Sequence, residues 1–236
     1  MAAAGPPRAR TRGLLAGFAN SADLGGLELP DGRRVPSGRI IRADTPAHVT
    51  EADVAAARAV GFEAVLDLRS HDEVRDCPHP LAQLAGYRSL PLIDPAAEAR
   101  ADISRYRTLG EIYSSSLQRN ATHIAAIFAA LAESPQGPGP VLVCCRAGRD
   151  RTGMVIALLL DLAGADREVI AADYALVPEL PGPGAPASPG EGHSGGDAVL
   201  RMLDHVSAAY GSTSGYLRRL GLGNGTIDAL RRRVEP

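Results

Sequence analysis

Short runs of apolar residues alternate with longer amphipathic segments along the chain. Residues 64–68 and 141–144 are continuous apolar runs of the kind that forms buried strands, and residues 87–90 fit a further strand. Residues 27–42 predict a small hairpin around the turn signal Asp31-Gly32. Helices are predicted between Thr50 and Gly61 and over residues 101–119, 120–133, 152–163, 167–176, 197–209, 213–220 and 225–233. This alternation predicts an α/β fold with a mostly parallel central sheet flanked by helices.

The length of the chain favours one domain over two. It has 236 residues, and its apolar fraction of 45% is enough for a sizeable core. Residues 1–17, rich in Ala, Pro, Arg and Gly, are predicted to form a flexible leader, and residues 18–236 a single domain. Within that domain, residues 178–196 are dense in Pro and Gly and predict an excursion that serves either as a lid or as a passive linker.

The charge and the cysteine content exclude some classes of function. A formal net charge of −2 provides no global basic field for nucleic acid or for an anionic membrane. No run of about 18 apolar residues is present that could span a bilayer. The cysteines number three, with two adjacent, which is a poor disulfide framework. Together with the weak signal-peptide character of residues 1–18, this favours a cytoplasmic location.

The histidines and the basic residues indicate which ligands the chain can bind. The six histidines are scattered without a metal-ligand spacing, so neither a metal nor a cofactor is predicted. All 25 basic residues are arginines, so every cation that binds a phosphate must be a planar guanidinium. Nothing in the sequence indicates an oligomeric state.

The candidate chemistry is concentrated in the loop that follows the apolar run 141–144. Five residues separate Cys145 from Arg151, and the loop lies between a predicted buried strand and a predicted helix. A loop of this length can curl so that its backbone N–H groups bind an anion, and the helix N-terminus adds positive potential. The same field stabilises a thiolate. Cys145 is therefore predicted to be a nucleophile, and Arg151 a clamp for phosphate oxygens.

Two further residues of this segment fit the same chemistry. The Thr152 hydroxyl is predicted to donate a hydrogen bond to the Cys145 sulfur, which helps the thiolate to leave, and Gly148 permits a tight turn. The alternative interpretation is a buried structural thiol surrounded by surface arginines. We prefer the phosphate-binding interpretation, because the strand, the spacing, the Arg-Thr-Gly ending and the helix all agree with it.

The segment from Cys145 to Gly153 resembles the signature loop of the protein tyrosine phosphatase superfamily. More narrowly, it looks like the loop of the bacterial and fungal tyrosine phosphatase family, which includes the mycobacterial tyrosine phosphatase B type. Other segments on both sides of this loop are also similar to that family and occur in the same order as in the family. They are residues 20–26, 31–42, 67–70, 173–174 and 210–222. Over residues 18–233, the resemblance implies the fold of that family and hydrolysis of phosphomonoesters through a phosphocysteine intermediate.

The chain departs from the family pattern at several positions. Cys144 stands where the family usually has a histidine that tunes the thiolate, which predicts a less stabilised nucleophile and a slower enzyme. An adjacent thiol also offers a route to reversible oxidation, but we prefer the interpretation that Cys144 is a small buried apolar residue. Arg149 replaces a lysine, while Ser21-Ala22 and Ala43 replace residues of pocket-lining segments, so substrate preference is open.

The leaving group needs a proton, and two aspartates compete to supply it. Asp150 lies in the loop beside Arg151, and the resemblance assigns a catalytic role to that position. Asp67 ends a predicted strand whose carboxyl end faces the same crevice. The alternatives are a loop-stabilising acceptor for Asp150 and an ion pair with Arg69 for Asp67. We place Asp150 first.

The predicted substrate is a phosphorylated protein, with phosphotyrosine first and phosphoserine or phosphothreonine after it. Contacts to substrate are expected from Arg146, Ala147, Gly148, Arg149, Arg69 and Arg42. The second interpretation is a phosphoinositide or multispecific lipid and protein phosphatase, because Arg146 and Arg149 add cations around the pocket, as in phosphoinositide phosphatases. A third is a non-catalytic phosphate-binding module, which the missing histidine permits.

Overall fold

A five-stranded sheet lies at the centre of the computed structural model, which describes residues 13–177 and 195–236. The strands are β1 (Ala22–Asp23), β2 (Ile40–Ala43), β3 (Ala64–Asp67), β4 (Tyr87–Ser89) and β5 (Val141–Cys144). Their order is β1-β2-β5-β3-β4, with β1 antiparallel to β2 and every other pair parallel. The predicted α/β fold with a mostly parallel sheet is confirmed, and β5 is its central strand.

Helices surround this sheet. In the described ranges they are α1 (Glu51–Ala59), α2 (His71–Asp76), α3 (Pro95–Ala99), α4 (Leu109–Arg119), α5 (Ala121–Glu133), α6 (Asp150–Leu162), α7 (Arg167–Ala175), α8 (Asp197–Tyr210), α9 (Thr213–Arg219) and α10 (Asn224–Val234). Short 3-10 turns occupy Pro30–Gly32 and Ile103–Arg105. No helix in these ranges is both long enough and apolar enough to cross a membrane.

The structure interrupts two segments that the pattern predicts as continuous. In residues 101–119, α4 begins only after Thr108, because the Thr108 side chain accepts the N–H of Glu111 in a capping box. In residues 27–42, the predicted hairpin is reduced to a bridge between Glu28 and Arg34 around the 3-10 turn. The turn is therefore where the sequence predicts it, but β2 pairs with β1 and β5 instead of closing a hairpin.

The described residues cover the predicted N-terminal boundary of the domain but little of the predicted excursion. Leu15 is buried and its N–H bonds to Ser21 Oγ at 2.8 Å, so ordered packing begins before residue 18, the predicted boundary. The predicted Pro/Gly-rich excursion at 178–196 lies outside the described residues except for its last two, of which Gly196 is the N-cap of α8.

The central helix α6 fixes the position of the loop before it. Its residues from Thr152 to Leu160 are all buried, as expected of a helix that is apolar on every side. It packs between the sheet and α7, α8, α9 and α10. A second, smaller cluster that includes Phe18, Ala57 and Leu81 covers the other face of the sheet. The N-terminus of α6 is therefore held against the carboxyl end of β5.

Candidate active site

The loop 145–151 joins the end of β5 to the start of α6. Cys145 directly follows β5 and is only 2% exposed, and α6 begins at Asp150. Since β2, β3 and β5 are parallel, their carboxyl ends meet at the same edge of the sheet. The structure thus places Cys145 where the central strand approaches the positive end of the central helix, a position that favours anion binding.

Gly148 occupies a position that accepts no side chain. Its φ is +67°, and a Cβ there would lie 2.6 Å from both the carbonyl carbon of Ala43 and the backbone nitrogen of Asp44. Both the left-handed backbone and the close approach require glycine. The loop therefore packs directly against the backbone at the end of β2.

Three consecutive carbonyls of the loop accept hydrogen bonds from outside it. The bonds run from Thr45 N to Arg146 O (3.2 Å), from Asn20 Nδ2 to Ala147 O (3.0 Å) and from Arg42 Nη2 to Gly148 O (2.7 Å). In a trans peptide, the C=O and the following N–H point in opposite directions. The N–H groups of residues 147–149 therefore point away from these partners, toward the inside of the loop, where they can bind an anion.

Arg42 anchors the loop through the hydrogen bonds of its guanidinium. Its Nη2 donates to Gly148 O, and its Nη1 donates to the Asp173 carboxylate at 2.6 Å and to the Asp173 carbonyl at 3.1 Å. The Arg42 side chain is fully buried. The guanidinium of Arg42 therefore links the loop to α7, and this geometry favours a structural role over the predicted contact with substrate.

Asn20 ties the loop to the chain before β1. While its Nδ2 donates to Ala147 O, its backbone N–H donates to Asp44 Oδ1 at 2.9 Å. Asp44 is itself buried, and burial raises its pKa against the opposing effect of backbone hydrogen bonds from Asn20 and its neighbours. The motif that opens the resemblance at residue 20 therefore has a structural role behind the loop.

Arg151 is held by a carboxylate that the sequence analysis did not identify. Glu73, in the first turn of α2, accepts Arg151 Nη1 at 2.5 Å and Arg151 Nη2 at 2.9 Å. The Glu73 carboxylate also accepts the N–H of Ser70 in the capping box of α2. The signal was available in Ser70-x-x-Glu73, which follows a predicted strand, but its connection to Arg151 depends on tertiary structure.

The charges of this pair reinforce one another. Burial alone would raise the pKa of Glu73, but the hydrogen bonds and charge of Arg151 outweigh it and lower the pKa to about 2. Burial opposes the charge of Arg151, yet Glu73 and the negative charge of a Cys145 thiolate raise its pKa. The guanidinium is therefore permanently charged and lies within electrostatic reach of the sulfur.

Asp150, the first residue of α6, is bound by two tyrosines. Tyr113 donates its hydroxyl to Asp150 Oδ1 at 2.5 Å, and Tyr174 donates to the same oxygen at 3.3 Å. Burial is the main cause that raises the pKa of both phenols, that of Tyr174 to about 12, so both remain donors. Both bonds end on Oδ1, so Oδ2 is left unengaged by the tyrosines.

The Thr152 hydroxyl does not make the bond predicted for it. Thr152 is fully buried, and within residues 13–177 and 195–236 its Oγ1 has no hydrogen-bond partner. The predicted donation to the Cys145 sulfur is therefore absent from this structure. The hydroxyl is nevertheless a buried donor at the start of α6, one residue after Arg151.

Asp67 and Arg69 form a buried ion pair beside the site. Asp67 accepts Arg69 Nη2 at 2.7 Å and Arg69 Nε at 3.0 Å, and it also accepts the Tyr87 hydroxyl at 3.0 Å. The remaining Nη1 of Arg69 donates to Cys77 O at 2.8 Å. All three nitrogens of Arg69 are bonded internally, which favours a structural role over the predicted contact with substrate. The ion-pair alternative describes the geometry of Asp67.

The other loop arginines differ in their surroundings. Arg146 is exposed, whereas Arg149 is partly buried with its Cζ 5.5 Å from the centre of the Tyr174 ring. The distance fits a cation–π contact. Arg149 therefore packs against one of the two tyrosines that bind Asp150, and Arg146 lies at the rim of the loop.

Cys144 points away from the loop. It is fully buried in the smaller cluster with Ile41, Val65 and Leu142, whereas Cys145 belongs to the larger cluster on the other face of the sheet. This alternation follows from the pleat of a strand. The interpretation of Cys144 as a small buried residue fits this position.

Known proteins resemble the chain over most of its length. The model of the tyrosine phosphatase family matches residues 14–235. The tyrosine-protein phosphatase of Nostoc commune is 30% identical over 226 residues, covering 85% of this chain and 75% of that protein. The triple specificity protein phosphatase PtpB of Mycobacterium tuberculosis is 27% identical over 247 residues, covering 82% and 90%. The crystal structure of P. aeruginosa TpbA in complex with pTyr has 20% identity, covers 81% of this chain and 91% of that chain, and gives a TM-score of 0.37.

Proposed function

The chain belongs to the tyrosine phosphatase family, and we propose that it hydrolyses phosphotyrosine through a phosphocysteine intermediate formed on Cys145. The observation that supports this most strongly is the loop itself. Its carbonyls accept hydrogen bonds from Asn20, Arg42 and Thr45 outside the loop, so its N–H groups face the space beside Cys145. Glu73 holds the Arg151 side chain of the same loop. Such an arrangement binds a phosphoryl group opposite a nucleophile.

In the first step, the Cys145 thiolate attacks phosphorus, the S–P bond forms, and the P–O bond to the leaving group breaks. The inward N–H groups and Arg151 bind the equatorial oxygens as charge moves toward the leaving oxygen. Glu73 takes one N–H from each terminal nitrogen of Arg151, so Nε–H and two further N–H groups remain for phosphate. A fixed guanidinium in this position gives bidentate contacts without a loss of side-chain freedom.

Asp150 is the proposed general acid. Its Oδ1 is fixed by Tyr113 and Tyr174, which leaves Oδ2 to carry the proton. In this role the carboxyl group donates its proton to the leaving phenoxide. In the second step, the resulting carboxylate accepts a proton from water, the water oxygen attacks phosphorus, and the Cys145 thiolate departs. We prefer Asp150 to Asp67, because Asp67 is fully buried and ion-paired.

A second candidate substrate class is the phosphoinositides. Arg146 is exposed immediately after the nucleophile, where its guanidinium can bind a second phosphate of such a substrate. The same position suits an acidic residue next to a phosphotyrosine in a protein.

The free thiols of all three cysteines favour a reducing compartment, since the chemistry needs Cys145 unoxidised.

The test is phosphate release from para-nitrophenyl phosphate, a phosphotyrosine peptide and a phosphoinositide, each compared across two matched variants. Cys145→Ser should abolish all turnover, whereas Cys144→Ser should retain it because that side chain lies on the other face of the sheet. A chain that binds the peptide but releases no phosphate would instead be a non-catalytic module. Turnover that survives Cys145→Ser would contradict the proposal outright.

A further inference from the structure

A buried histidine lies behind the nucleophile. His79 is 3% exposed, and its ring lies between those of Phe18 and Tyr87, with centroid distances of 6.2 and 5.7 Å. Its Nε2 is 3.4 Å from the sulfur of Cys144, the residue before the nucleophile. His79 comes from the segment between α2 and β4, so it reaches the end of β5 from the face opposite to Cys145.

The surroundings of His79 determine where its ring proton lies. Nδ1 accepts the N–H of Leu81 at 3.0 Å, so Nδ1 carries no proton. Burial lowers the pKa of His79 to about 4, so the ring is neutral near pH 7 and its one proton is on Nε2. Nε2–H therefore donates to the Cys144 sulfur.

The Cys144 thiol continues the same series of hydrogen bonds. Its sulfur is 3.6 Å from Leu66 O on β3, so it accepts from His79 and donates to this carbonyl. Burial, followed by the nearby charge of Asp67, raises the pKa of Cys144 and keeps it a thiol. The charged groups close to this pair are Asp67 and Arg69, which neutralise each other in their ion pair.

We propose that His79 is a positioning residue for the nucleophile, acting through the Cys144 side chain. The hydrogen bonds from Leu81 to His79, from His79 to Cys144 and from Cys144 to Leu66 fix the last residue of β5 in place. Since the next residue is Cys145, this anchor sets where its sulfur lies relative to the inward N–H groups of the loop. The role of Cys145 as nucleophile is taken from the proposed function.

The position matters because a thiolate is stabilised by close, well-directed donors. A shift of the strand end by a few tenths of an ångström lengthens several N–H to sulfur contacts at once. The family pattern has a histidine at position 144 itself, whereas here an imidazole reaches the same strand end from a separate segment. His79 does not contact the reacting atoms, so its effect appears in the thiolate and not in substrate binding.

The test measures alkylation of Cys145 by iodoacetamide as a function of pH, without substrate, with the modified residue identified by mass spectrometry. His79→Phe keeps an aromatic ring between Phe18 and Tyr87 but removes both nitrogens. We expect its alkylation midpoint to rise by about 0.5–1 pH unit, which is the effect of weakening about one hydrogen bond to the thiolate. His79→Gln, whose amide can still donate to Cys144, should stay within about 0.3 unit of the wild type on the same grounds.

Cys144 variants show whether the effect passes through this residue. Cys144→Ala should raise the midpoint as His79→Phe does, and Cys144→Ser should not. The His79→Phe, Cys144→Ala double variant should match either single variant, because both remove the same anchor. If His79→Phe fails to fold, the contrast between Cys144→Ala and Cys144→Ser carries the test alone.

A control separates positioning from general loosening of the cluster. Leu84 packs against the same cluster as Cys144, so Leu84→Ala should lower the melting temperature but leave the midpoint unchanged. An equal shift in Leu84→Ala, an unchanged midpoint in His79→Phe or Cys144→Ala, or additive shifts in the double variant would each overturn the proposal. Because alkylation needs no turnover, a chain that lacks phosphatase activity but shows these shifts would reject the proposed function and keep this inference.

Discussion

Arg151 and Glu73 are joined by two parallel hydrogen bonds, from Nη1 to Oε2 at 2.5 Å and from Nη2 to Oε1 at 2.9 Å. Glu73 is fixed in turn by the first turn of α2 and by Ser70. The guanidinium therefore has one orientation before any phosphate arrives. Preorganisation of this kind lowers the cost of binding the transition state.

Glu73→Gln should reduce kcat/KM by about 10- to 100-fold, because an Arg151 without its carboxylate can rotate away from the phosphoryl oxygens. Steady-state kinetics with para-nitrophenyl phosphate measure this change. Asp72→Asn is the matched control, since Asp72 lies on the same helix and pairs with the exposed Arg75. Equal losses in the two variants would show that α2 as a whole, and not this pair, is responsible.

The same pair should make stability depend on pH. The pKa of Glu73 falls from 4.5 to about 2 in the folded protein, so its stabilisation is complete above about pH 4.5 and is lost as the pH falls toward 2. We expect Glu73→Gln to lower the free energy of unfolding by about 1–2 kcal/mol at pH 7, allowing for partial solvent screening. Urea unfolding at several pH values should show this difference shrinking below pH 4.5. A difference that grows toward low pH would contradict the assignment.

Asp150→Ala should slow alkyl phosphates more than aryl phosphates, because phenoxide leaves more readily without a proton. A general acid contributes about 10²- to 10⁴-fold, so the alkyl substrate should approach that loss. The measurement is kcat for a phosphoserine peptide and for para-nitrophenyl phosphate in the same preparation. Equal losses on both substrates would argue against the acid role.

Tyr113→Phe tests how Asp150 is positioned. The change removes the 2.5 Å donor to Oδ1 and leaves the weaker 3.3 Å donor from Tyr174. Without this donor the Asp150 carboxyl group is held less firmly in one orientation, so proton transfer to the leaving group should be less efficient in steady-state kinetics. We expect kcat to fall about 3- to 10-fold, with a smaller change in Tyr174→Phe. An unchanged kcat in Tyr113→Phe would exclude this role.

Gly148→Ala should inactivate the enzyme without unfolding it. The new Cβ meets backbone atoms at 2.6 Å in a left-handed conformation, so the loop must move away from β2. We expect a loss of about 100-fold or more in kcat and a cost of about 1–3 kcal/mol in stability. Gly221→Ala, also at positive φ but with open space around it, is the control that carries strain without displacing the loop. Comparable losses of activity in both would contradict this account.

The parts of the site that lie close together in sequence could be predicted, and the parts that meet through the fold could not. Strand 141–144, the loop and the following helix are contiguous, so their pattern predicts the position of Cys145 and Arg151. Glu73 and His79 approach this segment from 78 and 65 residues away, and no local spacing reports such a contact. Both lie between β3 and β4, where the apolar pattern predicts neither a helix nor a strand.

The roles of the arginines also depend on contacts that the sequence does not report. An arginine near a loop of this kind can bind phosphate or hold the scaffold, and its identity alone does not separate the two. The sequence pattern predicts that Arg42 and Arg69 both contact substrate, but each is bonded to a buried carboxylate, Asp173 and Asp67 respectively. Asp173 lies 131 residues from Arg42, and the sequence does not show which elements come together in the fold. Arg151, by contrast, was placed by its fixed distance from Cys145.

The outward anchoring of residues 146–148 has a consequence for the end of each catalytic cycle. The donors Asn20 Nδ2, Arg42 Nη2 and Thr45 N all belong to the protein, so the shape of the loop does not depend on contacts made by an ester. Free inorganic phosphate has the same tetrahedral oxygens as the group that was removed. The loop 145–151 therefore binds it without rearrangement. Inorganic phosphate should therefore inhibit the enzyme as a product. Other oxyanions of similar geometry should bind the same loop as competitive inhibitors.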